Sequence, residues 1–186
     1  MKRADCLLEL IDDDKRRIHQ LLDDCSAACL HWSPDGQANS IAVTLWHAAR
    51  IFDVFLTQHI RANPVENEIW YTSGWNARSG YDPRGLGTLG WGAVTGYSLD
   101  EVKGIPEMGA ELLRSYFDQV MAAILDYLAA TPGEELSQAS AGFEGRQTNY
   151  YWIRHALWDL TRHLGEMLAL QSMWKRANPE TPDGPD

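Results

Sequence analysis

An all-α four-helix bundle is the fold this sequence predicts, and two observations carry the prediction. Four long stretches repeat apolar residues at three- and four-residue steps, which is the period of a helix with one buried face. No stretch alternates apolar and polar residues as a half-buried strand does. In such a bundle, the histidines and carboxylate on two otherwise apolar helices become ligand candidates, because bundles build their sites from inward-facing positions. With 186 residues, the chain suits one domain large enough to bury a substantial core. That domain is expected over residues 1–176, with a disordered acidic and proline-rich tail over 177–186.

The first helix is expected over 2–30, where Leu7, Ile11, Ile18, Leu21, Cys25 and Cys29 form a stripe interrupted by Asp14. Turn chemistry at Trp32-Ser33-Pro34-Asp35-Gly36 ends it. Asn39 or Ser40 then caps a second helix that runs to residue 61. Leu45, Ala48, Phe52, Phe55 and Leu56 make its apolar face, and His47 sits beside that stripe in line with Thr44, Ile51 and Val54. Residues 63–106 read as a long loop rich in glycine and large aromatics, including Trp70, Trp75, Tyr81 and Trp91. Such a loop suits the wall of an apolar pocket, and equally a cap on one end of the bundle or a dimer contact. Within it, Ser98-Leu99-Asp100-Glu101 has the form of a capping box opening a short helix.

The third helix is expected over 107–130, with Leu113, Phe117, Val120, Ile124 and Leu128 facing inward, and Thr131-Pro132-Gly133 stops it. Residues 134–145 are polar and read as a loop with at most a short turn. The fourth helix covers 147–175, its core face made by Ile153, Leu157, Leu160, Leu164, Met167 and Trp174. His155, Asp159 and His163 share a neighbouring column of that helix at four-residue steps.

Composition narrows the function. Hydrophobic residues make up 45% and charged residues 23%, as in ordinary globular proteins, and the formal net charge is -10. Such a surface repels phosphate backbones and anionic lipid, so neither nucleic acid nor a membrane is an expected partner. The apolar stretch after Met1-Lys2-Arg3 is cut short by Glu9 and Asp12-Asp13-Asp14, which argues against a signal peptide and for a cytoplasmic location. The 3 cysteines do not make a disulfide framework. Cys25 and Cys29 suit small hydrophobes on a core stripe, or else a thiolate or redox pair one turn apart.

Asp159 and His163 can grip one metal ion from adjacent helical turns, with His47 as a third ligand from a facing helix. Two imidazoles and a carboxylate suit a divalent transition metal such as zinc, nickel or ferrous iron. The competing reading is an ordinary ion pair between Asp159 and His163, with His47 an unrelated half-buried histidine. His19 and Asp23 show the same spacing on a face that reads as solvated.

Taken in order, Trp32-Ser33-Pro34, Asn39-Ser40-Ile41, Leu45-Trp46-His47 and Asp159-x-x-x-His163-Leu164-Gly165-Glu166 resemble the pattern of the DinB/YfiT-like superfamily of metal-binding four-helix bundles. The sequence departs from that pattern at Asp159, where many members have histidine and the related mycothiol-dependent maleylpyruvate isomerases have glutamate. The resemblance implies a metal at His47, Asp159 and His163. His155, Glu166 and Arg50 stand one turn from those ligands and are expected either to support them or to be ordinary helix residues; Arg50 could instead meet a substrate carboxylate. The activity implied is a metal-dependent thiol S-transferase using a low-molecular-weight thiol, or a hydrolase, acting on a small molecule. Two alternatives stand beside it: a non-enzymatic homodimer with a structural metal, and a metal-free protein-interaction module. No residue is assigned as catalytic acid or base.

Overall fold

The computed structural model describes residues 3–179. Four long helices form the bundle: α1 (Arg3–Asp23), α3 (Ile41–Val54), α7 (Ala110–Ala130) and α9 (Asn149–Ala177). Between them lie five short helices: α2 (Ala27–His31), α4 (Ile69–Thr72), α5 (Trp75–Ser79), α6 (Leu99–Lys103) and α8 (Gly133–Leu136). Helices α1 and α3 each pack against both α7 and α9, so they occupy opposite corners of the bundle. No β-strand forms among the described residues; an isolated antiparallel bridge joins Ala139 to Thr148. Nor is any described helix long and apolar enough to cross a membrane. Most of the expected tail, residues 180–186, lies outside the described residues, and α9 itself extends to Ala177.

The expected first helix is two helices. It stops at Asp23, and Ser26 starts α2 by accepting a hydrogen bond from the Cys29 amide at 3.3 Å. A serine cap satisfies one of the donors a new helix leaves open, and this outweighs the unbroken apolar spacing. Cys25 and Cys29 are buried, with sulfurs 3.5 Å apart, and burial pushes the Cys25 thiol up to about 12. They serve as core hydrophobes. His19 is not on a solvated face: its Nε2 meets Asp118 Oδ1 of α7 at 2.7 Å, while Asp23 pairs with Arg114.

Ser40 is the cap of α3, accepting from the Val43 amide. Every residue of α3 except Val43 is buried, because α7, α9 and the long loop enclose it. From Phe55 to Ile60 the helix continues with π-type bonds, one of them Arg61 N–H to the Leu56 carbonyl at 3.2 Å. This widened turn directs His59 inward. It lies 3% exposed among Phe55, Trp91, Phe143 and Trp152, and burial lowers its pKa to about 4.

Residues 63–106 fold back along the bundle instead of standing off from it. Trp70 is fully buried edge-on to Trp46 and Tyr116, and Trp75 and Tyr81 are buried beside them. The capping box at α6 is present, with Ser98 and Glu101 bonded reciprocally. Arg50 ties this segment down. Its guanidinium, 0% exposed, donates to Glu68 at 2.7 Å, to Asp53 at 3.4 Å and to the Gly92 carbonyl at 3.1 Å. Asp53 in turn accepts from the Ile69 and Trp70 amides at 2.8 and 2.9 Å, and so anchors the start of α4. Gly92 adopts φ +60, and a Cβ there would lie 2.3 Å from the Pro83 carbonyl oxygen.

Candidate metal centre

The centre forms where α3 packs against α9. His47 projects from α3, and Asp159 and His163 project from successive turns of α9. One donor atom from each lies within 4.8 Å of the other two. His47 Nε2 is 3.1 Å from Asp159 Oδ2, and His163 Nε2 is 3.6 Å from Asp159 Oδ1. The two imidazoles meet edge to face, with centroids 4.9 Å apart and planes at 89°. All three side chains are largely shielded from solvent, at 11%, 12% and 15% exposure for His47, Asp159 and His163.

The other face of each ring determines what this arrangement can hold. His47 Nδ1 points at the Ala93 carbonyl, and His163 Nδ1 lies 2.7 Å from Glu166 Oε2. Both partners only accept, so each Nδ1 carries a proton and donates it. Each Nε2 then faces the Asp159 carboxylate, which also only accepts. His163 Nε2 also lies 3.4 Å from Arg162 Nη2, which can donate to its lone pair, whereas the His47 Nε2 lone pair is left to a second proton or to a cation that it shares with the carboxylate. Histidine ligands to metals are held in this way, with the far N–H given to a carbonyl or carboxylate. The donor set therefore fits a divalent transition metal on its own chemistry.

Asp159 is kept in the acceptor form this requires. Burial alone would raise its pKa, but the His47 hydrogen bond, the charges of His47 and His163, and the Arg162 hydrogen bond together hold it below the usual carboxylate value. Arg162 Nη2 lies 2.5 Å from Asp159 Oδ1.

The three donors lie at the wall of an open cavity of about 300 Å³. Ile51 of α3, Phe55 of the π-type turns that continue it, and Trp91 and Val94 of the long loop give it apolar sides, while Asn39, Thr95 and His155 supply polar groups. Val94 has φ 67, a costly conformation for a β-branched residue, immediately after the carbonyl that holds His47. The long loop thus contributes both a cavity wall and, through Trp70 and Trp75, part of the core.

The remaining sequence candidates part ways here. Glu166 touches His163 directly. His155 lines the cavity but stacks on Tyr151 at 5.5 Å and is not one of the clustered donors. Arg50 reaches neither the donors nor the cavity; its charge is enclosed by Glu68, Asp53 and loop carbonyls, so it presents nothing to a substrate carboxylate. Its influence is indirect, since it grips Gly92, next to Ala93. Sequence reasoning missed the Ala93 carbonyl, which no side-chain pattern could signal. It also missed Arg162, whose signal was its place three residues after Asp159.

No curated protein matches the chain. Among solved structures, it is similar to a conserved protein from Enterococcus faecalis, with a TM-score of 0.75 and 19% sequence identity over 92% of this chain and 96% of that one. At that identity the likeness speaks for the fold. The DinB superfamily matches residues 10–167, which takes in most of α1, the whole of α3 and α7, and all three donors on α3 and α9. The chain belongs to the DinB superfamily.

Proposed function

We propose that this protein binds a divalent transition metal through His47, Asp159 and His163 and acts on a small molecule in the adjoining cavity. The observation that carries the reading is the pair of histidines whose Nδ1 atoms are committed to acceptors while both Nε2 atoms face one carboxylate. Three protein donors beside an open cavity support a reactive role, because structural zinc sites are closed by four. The chemistry such an ion supplies is Lewis acidity, which lowers the pKa of a thiol or a water molecule enough to make it a nucleophile near neutral pH. The reaction classes are accordingly transfer of a low-molecular-weight thiol to an electrophile, or hydrolysis.

Within this reading each residue has a task. Glu166 and the Ala93 carbonyl orient the two imidazoles, and Ile51, Phe55, Trp91 and Val94 exclude water from one side of the bound molecule. The formal net charge of -10 supports a protein without a nucleic-acid or membrane partner, and a cytoplasmic homodimer is the proposed setting.

The test is elemental mass spectrometry of untagged protein beside His47→Ala and Asp159→Ala. Near-stoichiometric zinc, nickel or iron that both substitutions abolish is the expected result. Wild-type protein that holds no metal and takes up none on dialysis against zinc or nickel overturns the reading. Metal-loaded protein is then assayed on a model electrophile with and without cysteine as a probe thiol, which separates transferase from hydrolase.

A further inference from the structure

Arg162 has a position that neither the fold nor the donor set requires. Its guanidinium leaves the α9 surface to place Nη2 2.5 Å from Asp159 Oδ1 and 3.4 Å from His163 Nε2. On its other side it lies over the Trp158 ring, 4.9 Å from the centroid, and that tryptophan is 57% exposed. The side chain of Arg162 is itself 56% exposed, so it stands at the cavity mouth with one end inside. Among the described residues that line the cavity, Arg162 is the one permanent cation and Asp159 the one carboxylate.

We propose that Arg162 is the anion-recognition residue of this cavity, and that the substrate is a small organic acid. Its carboxylate would meet Arg162, and its apolar body would lie against Ile51, Phe55, Trp91 and Val94. The inference rests on the metal reading above. Without a metal, the guanidinium answers Asp159 together with the two imidazoles. A divalent ion held by Asp159 and two neutral imidazoles repels it from Oδ1, while the Trp158 face keeps it at the mouth. The cavity then carries an excess of positive charge inside a protein whose formal net charge is -10. A guanidinium fork freed from one carboxylate is geometrically matched to another. The cavity volume of about 300 Å³ lies at the small end for ligand sites, which suits a compact acid.

Calorimetry on the full chain tests this with zinc as the metal and with benzoate and its neutral isostere benzamide as ligands. The proteins are wild type, Arg162→Gln and Arg162→Lys, and circular dichroism confirms that each is folded. Arg162→Gln is expected to bind zinc about fivefold tighter, since no cation competes for Asp159. Zinc-loaded wild type is expected to prefer benzoate to benzamide, with that preference falling about tenfold in Arg162→Gln and part of it kept in Arg162→Lys. If zinc binds but the preference is the same in wild type and Arg162→Gln, benzoate is held by the metal alone; the inference falls and the metal centre stands. If zinc does not bind wild type, both fall together.

Discussion

Replacing Asp159 by asparagine separates a metal ligand from a mere ion-pair partner. The two side chains have the same shape, and an amide can still serve the apo site: its oxygen accepts from Arg162 and its N–H₂ donates to the His47 Nε2 lone pair, which lies 3.1 Å from Oδ2 in the wild type. The Arg162 contact is half in solvent and contributes about 1 kcal/mol or less. The largest loss is one charge-assisted hydrogen bond, so the metal-free variant should unfold at a free energy within about 2 kcal/mol of wild type. Metal binding behaves differently. The substitution removes the one anionic donor from a cluster whose other members are neutral imidazoles. Loss of supporting groups around metal ligands already costs about 10- to 100-fold in affinity, and loss of the ligand itself should cost at least about 100-fold. Competition against a chromophoric chelator measures the zinc affinity, and urea unfolding in chelator measures the stability. A zinc affinity within threefold of wild type would refute the assignment of Asp159 as a ligand. A stability loss well beyond 2 kcal/mol would show that the carboxylate serves the fold.

Other parts of the structure make independent predictions. Glu166→Gln removes the charged acceptor from His163 Nδ1, and zinc affinity should drop about tenfold with little change in unfolding; an unchanged affinity in the chelator assay would detach Glu166 from the centre. Arg50→Met leaves Asp53 and Glu68 buried without their counter-charge, and urea unfolding should report a loss of about 3 to 5 kcal/mol. His59 sets a pH dependence. Its folded pKa of about 4 lies below the ordinary 6.5, so the unfolded chain binds a proton in that window that the folded chain refuses. The contribution is complete above about pH 6.5 and is lost as pH falls towards 4, amounting to about 3 kcal/mol. His59→Phe keeps the aromatic packing and should flatten that slope in unfolding curves taken between the two values; an equally steep slope would assign it to other groups.

Local regularities account for what could be read without the structure. Helical periodicity marked out all four long helices, because a helix that buries one face must repeat its apolar residues at that period. The stop at Thr131-Pro132-Gly133 and the capping box at Ser98 are likewise chemistry between near neighbours. The break after Asp23 was hidden because Ser26 competes with an apolar stripe that runs straight through it. Helices α4 and α5 and the burial of the rings around them were hidden for another reason. Their order depends on Arg50, Asp53 and Glu68, charges whose pairing exists only once the fold encloses them.

The candidate centre divides along the same line. That Asp159 and His163 lie one above the other follows from helix geometry, so the sequence alone determined that α9 presents them together. The all-α class and its helix pattern were determined in the same way, by interactions that reach no further than one or two turns. His47 was a candidate from its place beside an apolar stripe, but its distance to Asp159 is a product of how α3 packs on α9, 112 residues away in the chain. Glu166 and Arg162 reach the centre from neighbouring positions on α9 itself. Only the tertiary structure decided that the Ala93 carbonyl meets His47 Nδ1 and that Arg50 is enclosed by Glu68, Asp53 and the loop. Those facts depend on burial and on the direction of carbonyls and lone pairs, and these are set when distant segments meet, not by the order of residues within any one of them.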